Sequence, residues 1–468
     1  MLKVILKGHD KYYGIQDVVR LFFPSPVEDR NMGEVVCKAA PDIVIESELL
    51  PTGECICRTK DKTYRFEGPA EEVGREIKRS LYMALSDITG IRPPWGCLTG
   101  IRPTLVAAQV GSSAELARRY LVRPDKAELA LKTSKAEIEL LSKISPSDIN
   151  IYIGVPFCPS RCEYCSFVSS DISHHMGRLS DYKDHLMEEI RILAPKIKRR
   201  IGTLYMGGGT PTVFEDDDFC QLLDAVFGSL TLDNDCEITV EAGRPDTITT
   251  RKLKAMADHG INRICINPQT MNDMTLAKLN RRHTSADVLR AIDEARSLGF
   301  KVINSDIIAG LKYETSGDFI NTAEKMIATG ISNITIHTLY KKRRASMSLE
   351  DVMASNIDVD DAVTEVYRML EDSGYRPYYM YKQKDTGHGL ENTGFEKGGT
   401  PCLYNVAMMT DARDVLSFGA GGMSKRVFEQ VDTAKYRVER CSSSKDVLDY
   451  MARTEEIAMK KADFFELA

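Results

Sequence analysis

The sequence predicts an α/β protein: a partial (β/α)6 barrel, preceded by a small α+β N-terminal module and followed by a mixed α/β C-terminal domain. Three observations lead there. From Ile149 onward, six short apolar runs alternate with amphipathic stretches, the rhythm of successive β/α units on a curved parallel sheet. Ahead of that point the strand-like runs are short and two are joined by a polar turn, and beyond about residue 346 the alternation stops. A length of 468 residues suits two or three domains, placed at 1–145, 146–345 and 346–468.

Composition narrows the class. At 43% apolar and 28% charged residues the chain is an ordinary globular one, and a net charge of -6 gives no electrostatic reason to expect nucleic acid. The opening MLKVILKGHDKYYG has too short an apolar run for a signal peptide. No stretch approaches the ~18 apolar residues of a membrane span, so a cytoplasmic location is expected. Twelve cysteines without a secretory signal point to a reducing compartment and thiolate chemistry, although most of them, including Cys37, Cys97 and Cys441, read as structural.

In the N-terminal module, strands are expected at 4–6, 43–45, 54–58 and 63–66, the last two joined by Lys60-Asp61-Lys62. A helix over 71–84 places Val73, Ile77, Leu81 and Ala84 on one face. Ser112 and Glu115 have the spacing of a capping box. Between them RPPWGCLTGIRPTL, with the only tryptophan, Trp95, reads as an ordered irregular loop that packs the domain. Arg92 and Arg102 leave open a second role, facing a carboxylate-rich ligand or a partner.

The barrel strands are expected at 149–155, 203–206, 237–241, 263–267, 302–307 and 333–337. In parallel sheets of this kind the working residues sit at the carboxyl ends of the strands. After the first strand comes YIGVPFCPSRCEYCSF, which places Cys158, Cys162 and Cys165 in a Cys-x-x-x-Cys-x-x-Cys array. Three thiolates at that spacing fit one corner each on three irons of a cubane and leave the fourth iron open. A zinc site would want a fourth ligand nearer than His174 and His175. A disulfide would need an oxidising compartment and would leave one thiol over. Three cysteines packed only as small apolar residues would be an odd choice between Pro156 and Tyr164.

The other strand ends carry polar groups too. After the second comes Gly207-Gly208-Gly209-Thr210-Pro211-Thr212, where glycines let the backbone approach a ligand and present N–H groups to an amino acid's charged end. The third ends in Glu241 before Ala242-Gly243-Arg244-Pro245, and the fourth runs into Asn267-Pro268-Gln269. Arg281, Arg282, His283 and Thr284 follow in the next helix, and the fifth strand reaches Asp306. One such residue could simply face water; four at successive strand ends point into one mouth.

After the sixth strand, His337 reads as a satisfied strand histidine. Lys341, Lys342, Arg343 and Arg344 form either a solvated surface or a partner for a carboxylate-rich substrate. In the C-terminal part, a helix over 359–372 stops at Gly374. RPYYMYKQK then sets Tyr378, Tyr379 and Tyr381 beside Lys382 and Lys384, as the lining of a planar aromatic ligand or as an edge strand. Phe418-Gly419-Ala420-Gly421-Gly422 is a tight turn, and the tail from Ser444 reads helical.

The cysteine motif after an apolar strand resembles that of the radical S-adenosylmethionine (SAM) enzymes. With GGGTPT, EAGRPDTI, INPQTM, DIIAGL, LENTGF and PWGCLTGIRPT, the stretch from Trp95 to Lys425 resembles the oxygen-independent coproporphyrinogen III oxidase family, most closely its HemZ-like branch. The resemblance implies a radical SAM barrel in which Cys158, Cys162 and Cys165 hold a 4Fe-4S cluster. SAM would be surrounded by Tyr152, Tyr164, Gly208, Gly209, Thr210, Glu241, Gln269, Arg281 and Asp306. It implies oxidative decarboxylation of two propionates on a tetrapyrrole, coproporphyrinogen III, with an electron donor such as flavodoxin or ferredoxin as partner. Position 167 is Phe where well-studied oxidases of the family carry a fourth cysteine. Haem-chaperone relatives share that feature, so a haem-binding chaperone or a haem-opening radical enzyme stands beside the decarboxylase. The N-terminal module has no counterpart in the better-studied oxidases.

Overall fold

The computed structural model describes residues 1–23, 27–29, 33–165, 170–171, 177–340, 359–383, 389–430 and 435–467, with backbone alone at 27–29, 170–171, 429–430 and 435–436. Phe167, His174, His175, the basic run Lys341, Lys342, Arg343 and Arg344, and Lys384 lie outside the described residues. The chain forms two compact units, Met1–Lys135 with Met380–Glu391, and Ala136–Tyr379 with Asn392–Ala468.

The first unit contains β1 (Leu2–Lys7), β2 (Val27–Asp29), β3 (Glu34–Cys37), β4 (Ile43–Leu49), β5 (Cys55–Arg58) and β6 (Thr63–Phe66). They form one sheet in the order β2-β3-β1-β4-β5-β6, with β1 and β4 parallel and the other pairs antiparallel. Period-two alternation turns Leu2, Val4, Val35, Cys37, Ile45, Cys55 and Cys57 inward into a core shared with α1 (Tyr12–Val19) and α2 (Val73–Thr89). The opposite face carries ion pairs: Lys3–Glu34 at 3.0 Å, Lys7–Glu46 at 2.7 Å, Arg65–Glu54 at 2.8 Å, and Arg58–Glu48. A mixed sheet with one apolar and one charged face is built to face water on the charged side.

Helix α2 begins later than the pattern predicts, after a 3-10 turn at Ala70–Glu72, and ends at Gly90 in the left-handed conformation (φ 73°). The Trp95 segment is irregular as expected up to Arg102, but Pro103 opens α3 (Pro103–Val110) from its first turn, where a missing N–H costs nothing. Ser112 caps α4 (Ser113–Tyr120) by accepting from the Glu115 N–H at 3.3 Å.

Trp95 is fully buried, and its Nε1 donates to Glu391 Oε2 at 2.7 Å. The other Glu391 oxygen takes Lys126 Nζ, from α5 (Pro124–Leu141), also at 2.7 Å. Lys382 Nζ sits 5.2 Å over the indole and donates to Leu98 O at 2.8 Å. Trp95 therefore does packing work inside this unit.

The second unit starts with β7 (Ile149–Val155). A short parallel pair follows, β8 (Phe157–Cys158) with β9 (Ser170–Asp171). Then come β10 (Ile201–Gly208), β11 (Glu237–Gly243), β12 (Arg263–Ile266), β13 (Val302–Ala309), β14 (Asn333–Thr338), β15 (Arg376–Lys382), β16 (Glu391–Glu396), β17 (Val415–Phe418), β18 (Met423–Gln430) and β19 (Lys435–Ser442). Among the described residues the main sheet runs β15-β16-β14-β13-β12-β11-β10-β7-β17-β18-β19. Its centre, β7 and β10 to β14, is parallel throughout, which is the partial (β/α)6 barrel. Helices α6 (Leu179–Leu193), α7 (Asp216–Ser229), α8 (Thr250–Asp258), α9 (Asp273–Lys278), α10 (Ser285–Ser297) and α11 (Ser316–Ala328) separate those strands. β7 is buried at every position except Tyr152, as strands covered on both faces must be.

The sheet does not stop at the barrel. β17 pairs in parallel with β7 and β16 antiparallel with β14, so C-terminal strands flank both sides of it. β15, carrying Tyr378 and Tyr379, takes the sheet edge with both rings buried, which favours the edge-strand reading of RPYYMYKQK. Helices α12 (Val359–Asp372), α13 (Leu403–Thr410), α14 (Val447–Ala452) and α15 (Thr454–Phe465) complete the unit.

A buried ionic lock holds the turn after β17 against the end of β7. Lys461 Nζ, on α15, bonds Glu189 Oε1 and Ser417 O, each at 2.5 Å. Glu189 Oε2 takes Tyr450 OH at 2.7 Å and the Gly419 N–H at 2.8 Å. Gly419 has φ 91°, and a Cβ there would stand 2.3 Å from Gly154 O. Tyr182 OH donates to that same Gly154 O at 2.7 Å and accepts the Ala420 N–H at 3.0 Å. The segment entering the cysteine loop is thereby fixed from behind.

Candidate functional site

Each strand of the barrel delivers its polar residue to the same end. The loop after β7 holds Cys158, Cys162 and Cys165, none of them in a disulfide, with Cys162 buried and the other two partly exposed. Its turn is closed by the Cys165 N–H on Cys162 O at 3.1 Å. Thr210 Oγ1 lies 3.7 Å from Cys158 Sγ, and the guanidinium groups of Arg244 and Arg281 reach Cys162 Sγ at 3.9 and 4.0 Å. Ser160 and Asn280 pin the loop to the stretch after α9: Ser160 Oγ donates to Asn280 O at 2.7 Å, and Asn280 Nδ2 to Arg161 O at 3.1 Å.

The glycine run after β10 lies tight along this loop. The Gly209 N–H donates to Val155 O and the Thr210 N–H to Phe157 O, both at 2.7 Å. A Cβ at Gly209 would stand 2.3 Å from Phe157 O, and one at Gly207 would stand 2.8 Å from the Glu241 carboxyl carbon. Gly208 has φ 111°, in the region that favours glycine. The expectation that these amides are presented to a ligand is corrected in part: the Gly209 and Thr210 hydrogens are spent on neighbouring carbonyls. What the glycines supply is the absence of side chains, so that two strand-end loops close on one another.

Glu241, from β11, accepts from Tyr205 OH at 2.5 Å. Burial pushes its carboxyl up to about 7, Asp306 adds to the push, and the bonds from Tyr205 and the Gly208 backbone oppose it. Asp306, from β13, behaves oppositely. Burial alone would raise it, but His337, Asn304 and Thr335 hold it below its ordinary value; Asn304 Nδ2 is 2.9 Å and His337 Nε2 3.6 Å away. Two carboxyls with opposed shifts in one mouth suit a ligand carrying both a cation and hydroxyl donors.

Gln269 follows β12 with φ 67°, rare for a side-chain-bearing residue. Its backbone is clamped to β13 by Gln269 N–H to Asp306 O (3.0 Å) and Ile308 N–H to Gln269 O (2.9 Å). Its Oε1 is buried without a partner. Arg281 donates from Nη1 to Tyr164 OH at 2.8 Å and from Nη2 to Asn267 O at 2.7 Å, while its Nε is also buried without a partner. Backbone strain and orphaned polar atoms of this kind concentrate where a ligand completes the site. Tyr152 stacks with Tyr205 (centroids 6.3 Å apart) and Tyr404 (6.2 Å), and Tyr205 with Tyr404 at 4.5 Å.

The structure thus brings all twelve expected residues to one end of the barrel. Sequence reasoning missed Tyr205 and Tyr404. Tyr205 shares its strand face with Gly207, a signal that period-two counting could have used; Tyr404 arrives from α13 with no local signal. It also left Arg244 as one more strand-end polar group.

Among the described residues no three His, Cys, Asp or Glu side chains are placed to hold a single metal ion. A cubane does not require that, since each thiolate takes its own iron. Three thiols on one loop, with hydrogen-bond donors facing Cys158 and Cys162, fit such a cluster. The glycine-lined closure and the orphaned Gln269 acceptor and Arg281 donor fit a polar ligand beside it.

Residues 152–326 match the Radical SAM superfamily. The chain is 31% identical over 448 residues, 91% of its length, to the oxygen-independent coproporphyrinogen-III oxidase-like protein HemZ of Bacillus subtilis, covering 88% of that protein. It is 25% identical over 309 residues to the heme chaperone HemW of Haemophilus influenzae, covering 63% of this chain and 74% of that one. Among solved structures, the radical SAM enzyme coproporphyrinogen III oxidase (HemN) of Escherichia coli aligns with a TM-score of 0.51 at 20% identity, covering 68% of this chain and 72% of HemN. This last match supports the fold.

Proposed function

We propose, on the premise that this chain belongs to the oxygen-independent coproporphyrinogen-III oxidase-like family of radical SAM enzymes, that it oxidatively decarboxylates two propionates of coproporphyrinogen III to give protoporphyrinogen IX, each propionate losing carbon dioxide, one hydrogen atom to the SAM-derived radical and one electron to an acceptor. A 4Fe-4S cluster and SAM are the family's cofactors. In our reading Cys158, Cys162 and Cys165 hold the cluster. Bound together, cluster and SAM supply a carbon-centred radical able to remove hydrogen from an unactivated C–H bond, which no acid or base side chain can do.

The chain's own residues bind, orient and exclude water. Glu241 and Asp306 would read the amino group and ribose hydroxyls of SAM, and Gln269 Oε1 and Arg281 Nε, both buried without a partner, would complete the set. Gly208, Gly209 and Thr210 close the wall beside the cysteine loop, with Tyr152 and Tyr164 flanking it. Residues 346–468 serve as the substrate-covering part, and the basic run Lys341, Lys342, Arg343 and Arg344, next in sequence to β14, suits the propionates. The observation that carries this reading is the joint placement of the thiol loop, the glycine closure and the two oppositely shifted carboxyls at one barrel mouth.

A specific observation favours a second reading. Phe167 replaces the fourth cysteine, and the heme chaperone HemW is a relative over 63% of the chain, so a haem carrier that keeps the cluster is the alternative. Reduced, reconstituted protein incubated under argon with SAM and either coproporphyrinogen III or haem separates them. Carbon dioxide and 5'-deoxyadenosine are expected together. Stoichiometric haem binding and transfer without carbon dioxide would select the carrier, and loss of the Soret band would select ring opening.

A further inference from the structure

Arg244 lies at the barrel mouth with its guanidinium turned to a thiol, and nothing in the reading above uses it. It is 4% exposed. Its Nη1 donates to Ser160 Oγ at 2.8 Å and Ser160 O at 3.1 Å, and stands 3.9 Å from Cys162 Sγ. Nε and Nη2 grip the two oxygens of Asp246, each at 3.1 Å. Asp246 Oδ1 in turn lies 3.6 Å from His283 Nδ1. From the other side Arg281 Nη1 reaches the same sulfur at 4.0 Å. Two buried guanidinium groups, from different loops, therefore converge on one cysteine, whereas Cys158 faces the neutral hydroxyl of Thr210 at 3.7 Å.

This arrangement is more than a brace for the loop. A neutral amide could satisfy Ser160, and burying a guanidinium costs far more than burying an amide. Asp246 balances one positive charge of the pair, so the sulfur remains under a net cationic field in a site screened from water. Donors and positive charge around a cluster sulfur favour the form carrying the extra electron.

We propose that Arg244 is a positioning residue that holds the Cys162 thiolate beneath two cationic donors and so raises the reduction potential of the cluster. The proposal rests on the reading that Cys158, Cys162 and Cys165 bind that cluster. No atom moves in the step concerned: the reduced electron donor gives one electron to the cluster, and the field set by Arg244 fixes how readily it is accepted.

The test needs no turnover. Wild type, Arg244→Met and Arg244→Lys are reconstituted without oxygen, assayed for iron and sulfide, and titrated with redox mediators while the reduced cluster is followed by electron paramagnetic resonance. Arg244→Met should keep its iron and shift the reduction equilibrium about tenfold toward the oxidised form, ~59 mV for a one-electron couple. Arg244→Lys should recover most of that shift. A loaded Arg244→Met protein with the wild-type potential would overturn the proposal and leave Arg244 a brace for Ser160. If Arg244→Met does not retain iron, Asp246→Asn is titrated instead. It leaves the guanidinium in place without its balancing carboxylate, the potential should rise, and an unchanged or lower value overturns the proposal. Wild type lacking both iron and sulfide would remove the cluster reading itself, and this proposal with it.

Discussion

Replacing Gly209 by Ala tests whether the closure of the two strand-end loops sets the site. The added methyl would stand 2.3 Å from Phe157 O and 2.7 Å from both Phe157 C and N. Ordinary carbon contacts are about 3.5–4.0 Å, so the Phe157 peptide must retreat by roughly 1 Å. That peptide accepts the Thr210 N–H at 2.7 Å, and Val155 O accepts the Gly209 N–H at 2.7 Å, so both bonds are stretched or lost. Overpacking costs ~1–3 kcal/mol and each net hydrogen bond ~1 kcal/mol, which gives about 3–5 kcal/mol. Phe157 precedes Cys158, so the first thiol is displaced as well. In urea the Gly209→Ala apoprotein should unfold at a lower midpoint with an unchanged slope, and its iron after reconstitution should fall well below wild type. Gly228→Ala in α7, where nothing lies within 4 Å of the added carbon, should instead gain ~0.5–1 kcal/mol. A Gly209→Ala protein as stable as wild type and with full iron would refute the reasoning.

Three further outcomes are expected. Lys461→Met leaves the buried Glu189 carboxyl with only neutral donors and should cost about 3–5 kcal/mol, read as a lower urea midpoint; Glu189→Leu added to it should restore part of the loss. Burial raises the Glu241 carboxyl from 4.5 to about 7, so the folded apoprotein keeps a proton that the unfolded chain releases. Stability should therefore drop by about 3 kcal/mol as pH rises from 4.5 to 7, and Glu241→Gln should flatten that slope when unfolding is followed across the range. Asp306→Asn should retain the cluster yet weaken SAM about tenfold or more by calorimetry, since a hydrogen-bonded carboxylate is lost; unchanged affinity would remove Asp306 from the binding set.

The barrel was legible because its strands are buried on both faces. Ile149–Val155 is mostly apolar, Val302–Ala309 is apolar at both ends around Asn304, Ser305 and Asp306, and the predicted limits differ by no more than two residues at either end. Cys158, Cys162 and Cys165 were legible because their spacing on one loop is itself a pattern along the chain. What stayed hidden depends on residues far apart in sequence. β17 is four residues long and sits beside a glycine turn, so only its pairing with β7 reveals it as a strand. Tyr404 reaches Tyr205 from α13, and the roles of the Gly209 and Thr210 amides were settled by carbonyls at Val155 and Phe157 that no pattern in GGGTPT announces. Pro103 was the readable signal that was overlooked, a helix-opening proline inside a segment that its glycines marked as irregular.

The lock around Glu189 also bears on when this protein can be completed. Its carboxylate lies in sequence between the first two strands of the barrel, but the ammonium that neutralises it comes from position 461, on α15. During synthesis the barrel strands emerge long before that partner, and until it docks, the turn that supports Gly154 has no fixed seat. A chain that has formed those strands but has not docked α15 therefore carries its three thiols on a loop whose rear support is unfinished.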